Sequence, residues 1–114
     1  MSHYLCKIAE IGEHGKEIRV TFDSIVNYIM LFSHAGSIHA FLNICPHQGM
    51  PLNVAPDRFL FSPEHRLVCS HHGACFELDT GVCVGGPCRG ERLKQVKISL
   101  KEDSVWLDQE FDAN

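Results

Sequence analysis

Two short segments of the chain carry residue types able to do chemistry. Cys45-Pro46-His47-Gln48-Gly49 holds a Cys-x-His pair, and Cys69-Ser70-His71-His72-Gly73 holds a Cys-x-x-His pair. Each supplies one thiolate and one imidazole, with a glycine just behind that lets the backbone turn tightly. Two thiolates and two imidazoles suit a tetrahedral zinc ion, or a 2Fe–2S cluster in which two histidines replace two cysteines on one iron. Ordinary zinc fingers pair Cys with Cys and His with His, whereas here each segment contributes one of each. That mixture fits a two-iron centre with one iron on cysteines and the other on histidines. Either segment alone is a weak signal, and the pair is a strong one. His71 stands at the same spacing from Cys69 as His47 does from Cys45, so spacing leaves His71 and His72 both open as the second imidazole.

These segments need a scaffold, and 114 residues suit one domain with one modest core. The hydrophobic share of 45% against 21% charged residues excludes disorder as the main state. A net charge of −4 gives no general attraction to phosphate backbones, which argues against a nucleic-acid partner. The N-terminal residues lack the basic stretch and apolar core of a secretory signal, and the longest apolar runs are too short to span a bilayer. A cytoplasmic setting is therefore expected, with no membrane partner, where thiols stay reduced and cysteines read as ligands or buried thiols before disulfides.

On either side of the two segments the chain alternates in the manner of β-strands. Residues 17–22 put Ile18, Val20 and Phe22 on one face. Residues 28–32 and 37–44 flank a hairpin turn at Ser33-His34-Ala35-Gly36, with Ile38, Ala40, Leu42 and Ile44 sharing a face. Val96, Ile98 and Leu100 alternate again, Lys101-Glu102-Asp103-Ser104 reads as a turn, and Val105-Trp106-Leu107 as a closing strand with Trp106 packed in the core. Helical periodicity is weak throughout. The expected chain is mostly β: flanking antiparallel strands at about residues 1–44 and 91–110 form a base, with a Gly-, Pro-, Cys- and His-rich insert at about 45–90.

The paired segments resemble the cluster-binding loops of Rieske iron–sulfur proteins. Asn43-Ile44 and Pro51-Leu52 around the first loop fit that family, as does Phe76-Glu77-Leu78-Asp79-Thr80-Gly81 after the second. Gly85-Gly86-Pro87 resembles the proline loop that covers the cluster, and the likeness extends over about residues 28–107. The resemblance implies one Rieske domain, an antiparallel β-sandwich or barrel with a loop-built cluster-binding subdomain at one end. It also implies one 2Fe–2S cluster, held by Cys45 and Cys69 on one iron and by His47 and His72 on the other. Only the family pattern selects His72 over His71. One departure is the 21 residues between His47 and Cys69, longer than is common in the family; the extra length falls around Pro56-Asp57-Arg58-Phe59-Leu60, expected to be a surface excursion.

Respiratory-complex members of the family carry an extra cysteine in each loop, joined as a disulfide, and the matching positions here are Met50 and His71. Those members also place Ser and Tyr hydroxyls near the cluster sulfurs, where this chain has Ala74 and Phe76. Fewer donors to the sulfurs disfavour the reduced cluster, so a potential toward the low end of the Rieske range of roughly −150 to +300 mV is expected. The resemblance thus implies a soluble ferredoxin, similar to those of ring-hydroxylating dioxygenases. Such a protein is not itself an enzyme. It passes one electron at a time from a flavoprotein reductase to a terminal oxygenase or similar redox enzyme, through the edge at His47 and His72. The alternatives are a Rieske-like small subunit of a nitrite reductase and a zinc-stabilised Cys2His2 binding module.

Cys6, Cys75, Cys83 and Cys88 remain, and are expected to be small, buried, reduced thiols rather than a regulatory disulfide or second metal site. His3, His14, His34, His39 and His65 are expected on strands or at the surface. Residues 86–101 carry a local net charge of +4 and residues 102–114 one of −5. The acidic end reads as a solvated terminus. Arg89, close after the proline loop, reads first as a surface charge, with orientation of a partner as the alternative.

Overall fold

Strand β3 (Ile25–His34) organises the molecule because its apolar run is buried on both faces. Side chains alternate across a strand, so Met30 and Phe32 enter one hydrophobic core while Ile29 and Leu31 enter another. The computed structural model describes residues 3–22, 24–46, 49–70 and 73–108. Among these, β2 (Lys16–Phe22) and β4 (Ser37–Leu42) pair antiparallel with the two edges of β3. The hairpin turn between β3 and β4 falls on Ala35 and Gly36, both at positive φ (52° and 80°), as a two-residue turn matched to strand twist requires.

A second three-stranded sheet has the order β1 (His3–Lys7), β10 (Ser104–Leu107), β9 (Ile98–Lys101), with a 3-10 turn at Ile8–Glu10. Its Leu5, Cys6, Val105 and Leu107 join Ile29, Leu31, Ala40 and Leu42 in one core. The other core holds Met30, Phe32 and Phe41 against Leu52, Phe59, Leu67, Phe76 and Leu93. There the chain forms a four-stranded antiparallel sheet of very short strands, β5 (Leu60–Phe61), β6 (Leu67–Val68), β7 (Cys75–Phe76) and β8 (Cys83–Gly85). The returning segment lies along β4, with Leu42 N–H donating to the Lys94 carbonyl (2.9 Å) and Val96 N–H to that of Ala40 (3.0 Å). No helix among the described residues is long and apolar enough to cross a membrane.

The alternation expected at Ile18, Val20, Ile38, Ala40 and Leu42 faces one core, but β4 ends at Leu42 and Ile44 is exposed. Leu100, at the expected inward phase of β9, is exposed as well. Phe22 lies in β2, and its side chain is outside the described set. Trp106 corrects the expectation of core packing. It lies across β10 from buried Val105 and Leu107, edge-on to Tyr4 (ring centres 5.5 Å apart, 76°), with the Lys101 ammonium 5.0 Å from its ring centre. Period 2 dictates that outcome, since Val105 and Leu107 take the inner face.

The excursion at residues 56–60 is tethered rather than loose. Asp57 accepts hydrogen bonds from the Glu17 N–H (2.8 Å) and the Lys16 ammonium (3.1 Å), and Phe59 N–H donates to the His14 carbonyl (2.9 Å). Partial burial would raise the Asp57 pKa, but these two donors and the Lys16 charge outweigh it and hold the carboxyl below its ordinary value. Phe59 then packs edge-on against Phe32 at 5.1 Å.

Candidate metal centre

The two cysteine segments fold into loops closed by the same pair of backbone hydrogen bonds. Cys45 N–H donates to the Met50 carbonyl (2.7 Å), and Gly49 N–H donates to that of Cys45 (2.7 Å). In the second loop Cys69 N–H donates to Ala74 (2.8 Å) and Gly73 N–H to Cys69 (3.0 Å). Gly49 and Gly73 both sit at φ +69°, the left-handed conformation that glycine adopts without a Cβ penalty. Equivalent closure places Cys45 and Cys69 at equivalent loop bases. Both are only 1% exposed, and both belong to the core that contains Phe41 and Phe76. His47, His71 and His72 lie outside the described residues, so the structure places the two expected sulfur ligands and not the imidazoles.

What holds the loops together is a residue whose role sequence reasoning missed. Asn43 is 3% exposed; its Nδ2 donates to Glu17 Oε2 (2.7 Å) and Asn53 Oδ1 (2.8 Å), and its Oδ1 accepts the buried Leu52 N–H (2.8 Å). It thereby ties both ends of the first loop to β2. The second loop docks onto the same segment, with Ser70 N–H donating to the Leu52 carbonyl (3.0 Å) and Ser70 Oγ–H to that of Asn53 (3.2 Å). The available signal was a polar residue interrupting the apolar run Leu42-Asn43-Ile44 beside a ligand segment. Asn43→Ala strips the Leu52 N–H of its acceptor at about 1–3 kcal/mol and removes two further hydrogen bonds, for a loss of order 3 kcal/mol. Denaturant unfolding should show that loss as a lower midpoint with unchanged slope.

The proline loop lies against the second cysteine loop. Gly86 has φ +89°, and a Cβ there would stand 2.8 Å from the Ala74 Cα. Beneath the loop, Cys88 S–H donates to Cys83 Sγ at 2.9 Å, and Cys83 S–H to the Gly85 carbonyl at 3.1 Å. Burial pushes the Cys88 thiol up to about 12, with Cys83 and then Cys45 adding to the shift, so it is protonated at neutral pH. Cys6, Cys83 and Cys88 are buried as expected, whereas Cys75 is only half-buried, and none of the six cysteines is in a disulfide. Among the described residues no group of three or more His, Cys, Asp or Glu could hold a metal ion. His14, His34 and His65 line one open depression of about 270 Å³, a convergence the sequence does not announce. Arg89 is exposed just past the proline loop.

The donor chemistry fits an iron–sulfur centre. Two thiols from equivalent loops enter one apolar core, where bound ferric iron would replace their protons and remove the charge that burial otherwise penalises. Comparison with known proteins points the same way. The model of the Rieske [2Fe-2S] domain matches residues 2–101. A search of curated proteins gives no match. Among solved structures, the ferredoxin of carbazole 1,9a-dioxygenase from Nocardioides aromaticivorans IC177 superposes with a TM-score of 0.73 at 16% identity, covering 96% of this chain and 99% of its own. A ferredoxin of Sphingomonas yanoikuyae B1 gives 0.73 at 20% identity, covering 96% and 100%. The terminal oxygenase of carbazole 1,9a-dioxygenase from the same Nocardioides strain gives 0.72 at 23% identity, covering 98% of this chain and 32% of the oxygenase. At such identities the likeness is one of fold. The family model, spanning nearly the whole chain, goes further: this chain belongs to the Rieske [2Fe–2S] domain family, whose cofactor is one 2Fe–2S cluster.

Proposed function

We propose that the chain is a one-electron carrier that takes electrons from a flavoprotein reductase and passes them to a terminal oxygenase. Cys45 and Cys69 are the sulfur ligands and His47 and His72 the nitrogen ligands. The observation that carries the reading is the equivalence of the two loops, which closes each buried cysteine into the same hydrogen-bonded ring. When bound, the cluster supplies one reversible electron at a potential above that of all-cysteine ferredoxins. The chain's own residues set the surroundings: Leu52, Ala74 and Phe76 are fully buried beside the cysteines in one core and exclude water from the sulfur side. Neither Ala74 nor Phe76 offers a hydroxyl to a sulfur. The solved ferredoxins of similar fold, one belonging to carbazole 1,9a-dioxygenase, support an oxygenase as acceptor.

The test is spectroscopic and kinetic. The purified chain should be red-brown, give an EPR signal only on reduction, and titrate near the low end of roughly −150 to +300 mV. It should also restore turnover in a mixture of flavoprotein reductase and Rieske oxygenase lacking its ferredoxin. A colourless product holding one zinc per chain would instead establish a zinc-stabilised module, and a potential near the top of the range would overturn the low-potential assignment.

A further inference from the structure

We propose that Cys83 and Cys88 are a disulfide-forming pair that reacts with low-molecular-weight disulfides and closes the proline loop into a covalent ring. Neither residue belongs to the proposed ligand set, so the inference stands apart from that assignment. The two sulfurs are 2.9 Å apart, about 0.9 Å longer than a disulfide bond of ~2.05 Å. The backbone that carries them is held by three hydrogen bonds. Cys83 N–H donates to the Glu91 carbonyl (2.7 Å), Gly90 N–H to that of Cys83 (3.0 Å), and Glu91 N–H to that of Cys88 (2.9 Å). The thiols therefore meet because the chain has already turned back on itself.

Between them lie Val84, Gly85, Gly86 and Pro87, and it is Gly86 that backs onto Ala74 of the second cysteine loop. A bridge at the base of this loop would fix the segment that lies against the second cysteine loop. The chemistry is thiol–disulfide exchange. One thiol of the pair, deprotonated, attacks a sulfur of the small disulfide and expels a thiolate. The other then attacks the mixed disulfide, forms the Cys83–Cys88 bond and expels a second thiolate. The dithiol loses two electrons and two protons, and one small disulfide becomes two small thiols. Cys83 and Cys88 are only 1% and 2% exposed, so exchange waits on opening at the exposed Gly86 and Pro87, and the reduced pair persists until a disulfide oxidant is present.

The test uses the cluster-loaded protein, equilibrated anaerobically with mixtures of reduced and oxidised glutathione, then quenched in acid, unfolded and alkylated. Cleavage after Glu77 and Arg89 releases residues 78–89, which contain Cys83 and Cys88 and no other cysteine. The expected result is a peptide lighter by two hydrogens and unalkylated in the oxidising mixtures, doubly alkylated after dithiothreitol, with the visible absorption retained throughout. In Cys88→Ser the bridged species should vanish. A peptide that stays doubly alkylated up to pure oxidised glutathione overturns the proposal. So does a bridge that appears only after the visible absorption is lost, or one that joins Cys83 or Cys88 to Cys75.

Discussion

Cys69→Ser is expected to yield a chain whose visible absorption and reduced-state EPR signal fall to background, while Cys6→Ser keeps both. Cys6 and Cys69 are equally hidden from water, so burial does not separate them. Cys6 lies in the core built on β1 and β10, whereas Cys69 is closed into a loop that matches the Cys45 loop bond for bond. A serine hydroxyl holds its proton far more tightly than a thiol and is a poor ligand for iron that prefers soft sulfur. In an apolar core it also leaves a polar group to be satisfied, at about 1–3 kcal/mol. Cys45→Ser should match Cys69→Ser in lost absorption and iron content. Two variants with equal, complete loss of cluster and a third with none would establish both cysteines as ligands. Retention of full absorption by either loop variant would remove that cysteine from the ligand set.

Gly86→Ala should both destabilise the fold and lower cluster loading, whereas Gly90→Ala should do little to loading. Both glycines have positive φ, +89° and +95°, so each substitution carries a left-handed backbone cost of about 1–2 kcal/mol. They differ in what the new methyl group meets. At Gly90 it meets nothing within 4 Å; at Gly86 it meets the Ala74 Cα at 2.8 Å and its N at 3.2 Å. Those are backbone atoms and cannot swing aside, which adds an overpacking cost of about 1–3 kcal/mol. The total of about 2–5 kcal/mol is a large part of an ordinary domain's stability of about 5–15 kcal/mol. The displaced residue is Ala74, whose carbonyl accepts the Cys69 N–H, so strain passes directly to a proposed sulfur ligand. Thermal unfolding and iron content measured on both variants read the two effects separately. Equal behaviour of the two would mean that the proline loop does not bear on the second cysteine loop.

Much of the base was legible in the sequence because its signals are local. The alternation through residues 29–32 and 38–42, the two-residue turn at Ala35-Gly36, and the strand closing on Val105 and Leu107 each depend on neighbours a few residues apart. The short strands β5 to β8 were not legible, because two or three residues cannot display a period of two. Nor was the Asn43 bridge, since its partners Glu17 and Asn53 are 26 and 10 residues away along the chain.

The two Cys/His segments were determined by the sequence alone. Residue type and spacing suffice there, because a loop ligand needs only the right donor beside a glycine that can turn. Tertiary structure alone decided that Val105 and Leu107 rather than Trp106 take the inner face of β10, that Asp57 anchors a long excursion to β2, and that Gly86 lies on Ala74. It also brought the sulfurs of two spare cysteines, Cys83 and Cys88, together. Each of these is a contact between segments distant in sequence or a choice between two faces of a strand. Such outcomes are settled only when the whole chain has packed, because the gain comes from burying one surface against another and no local pattern encodes which surface that will be.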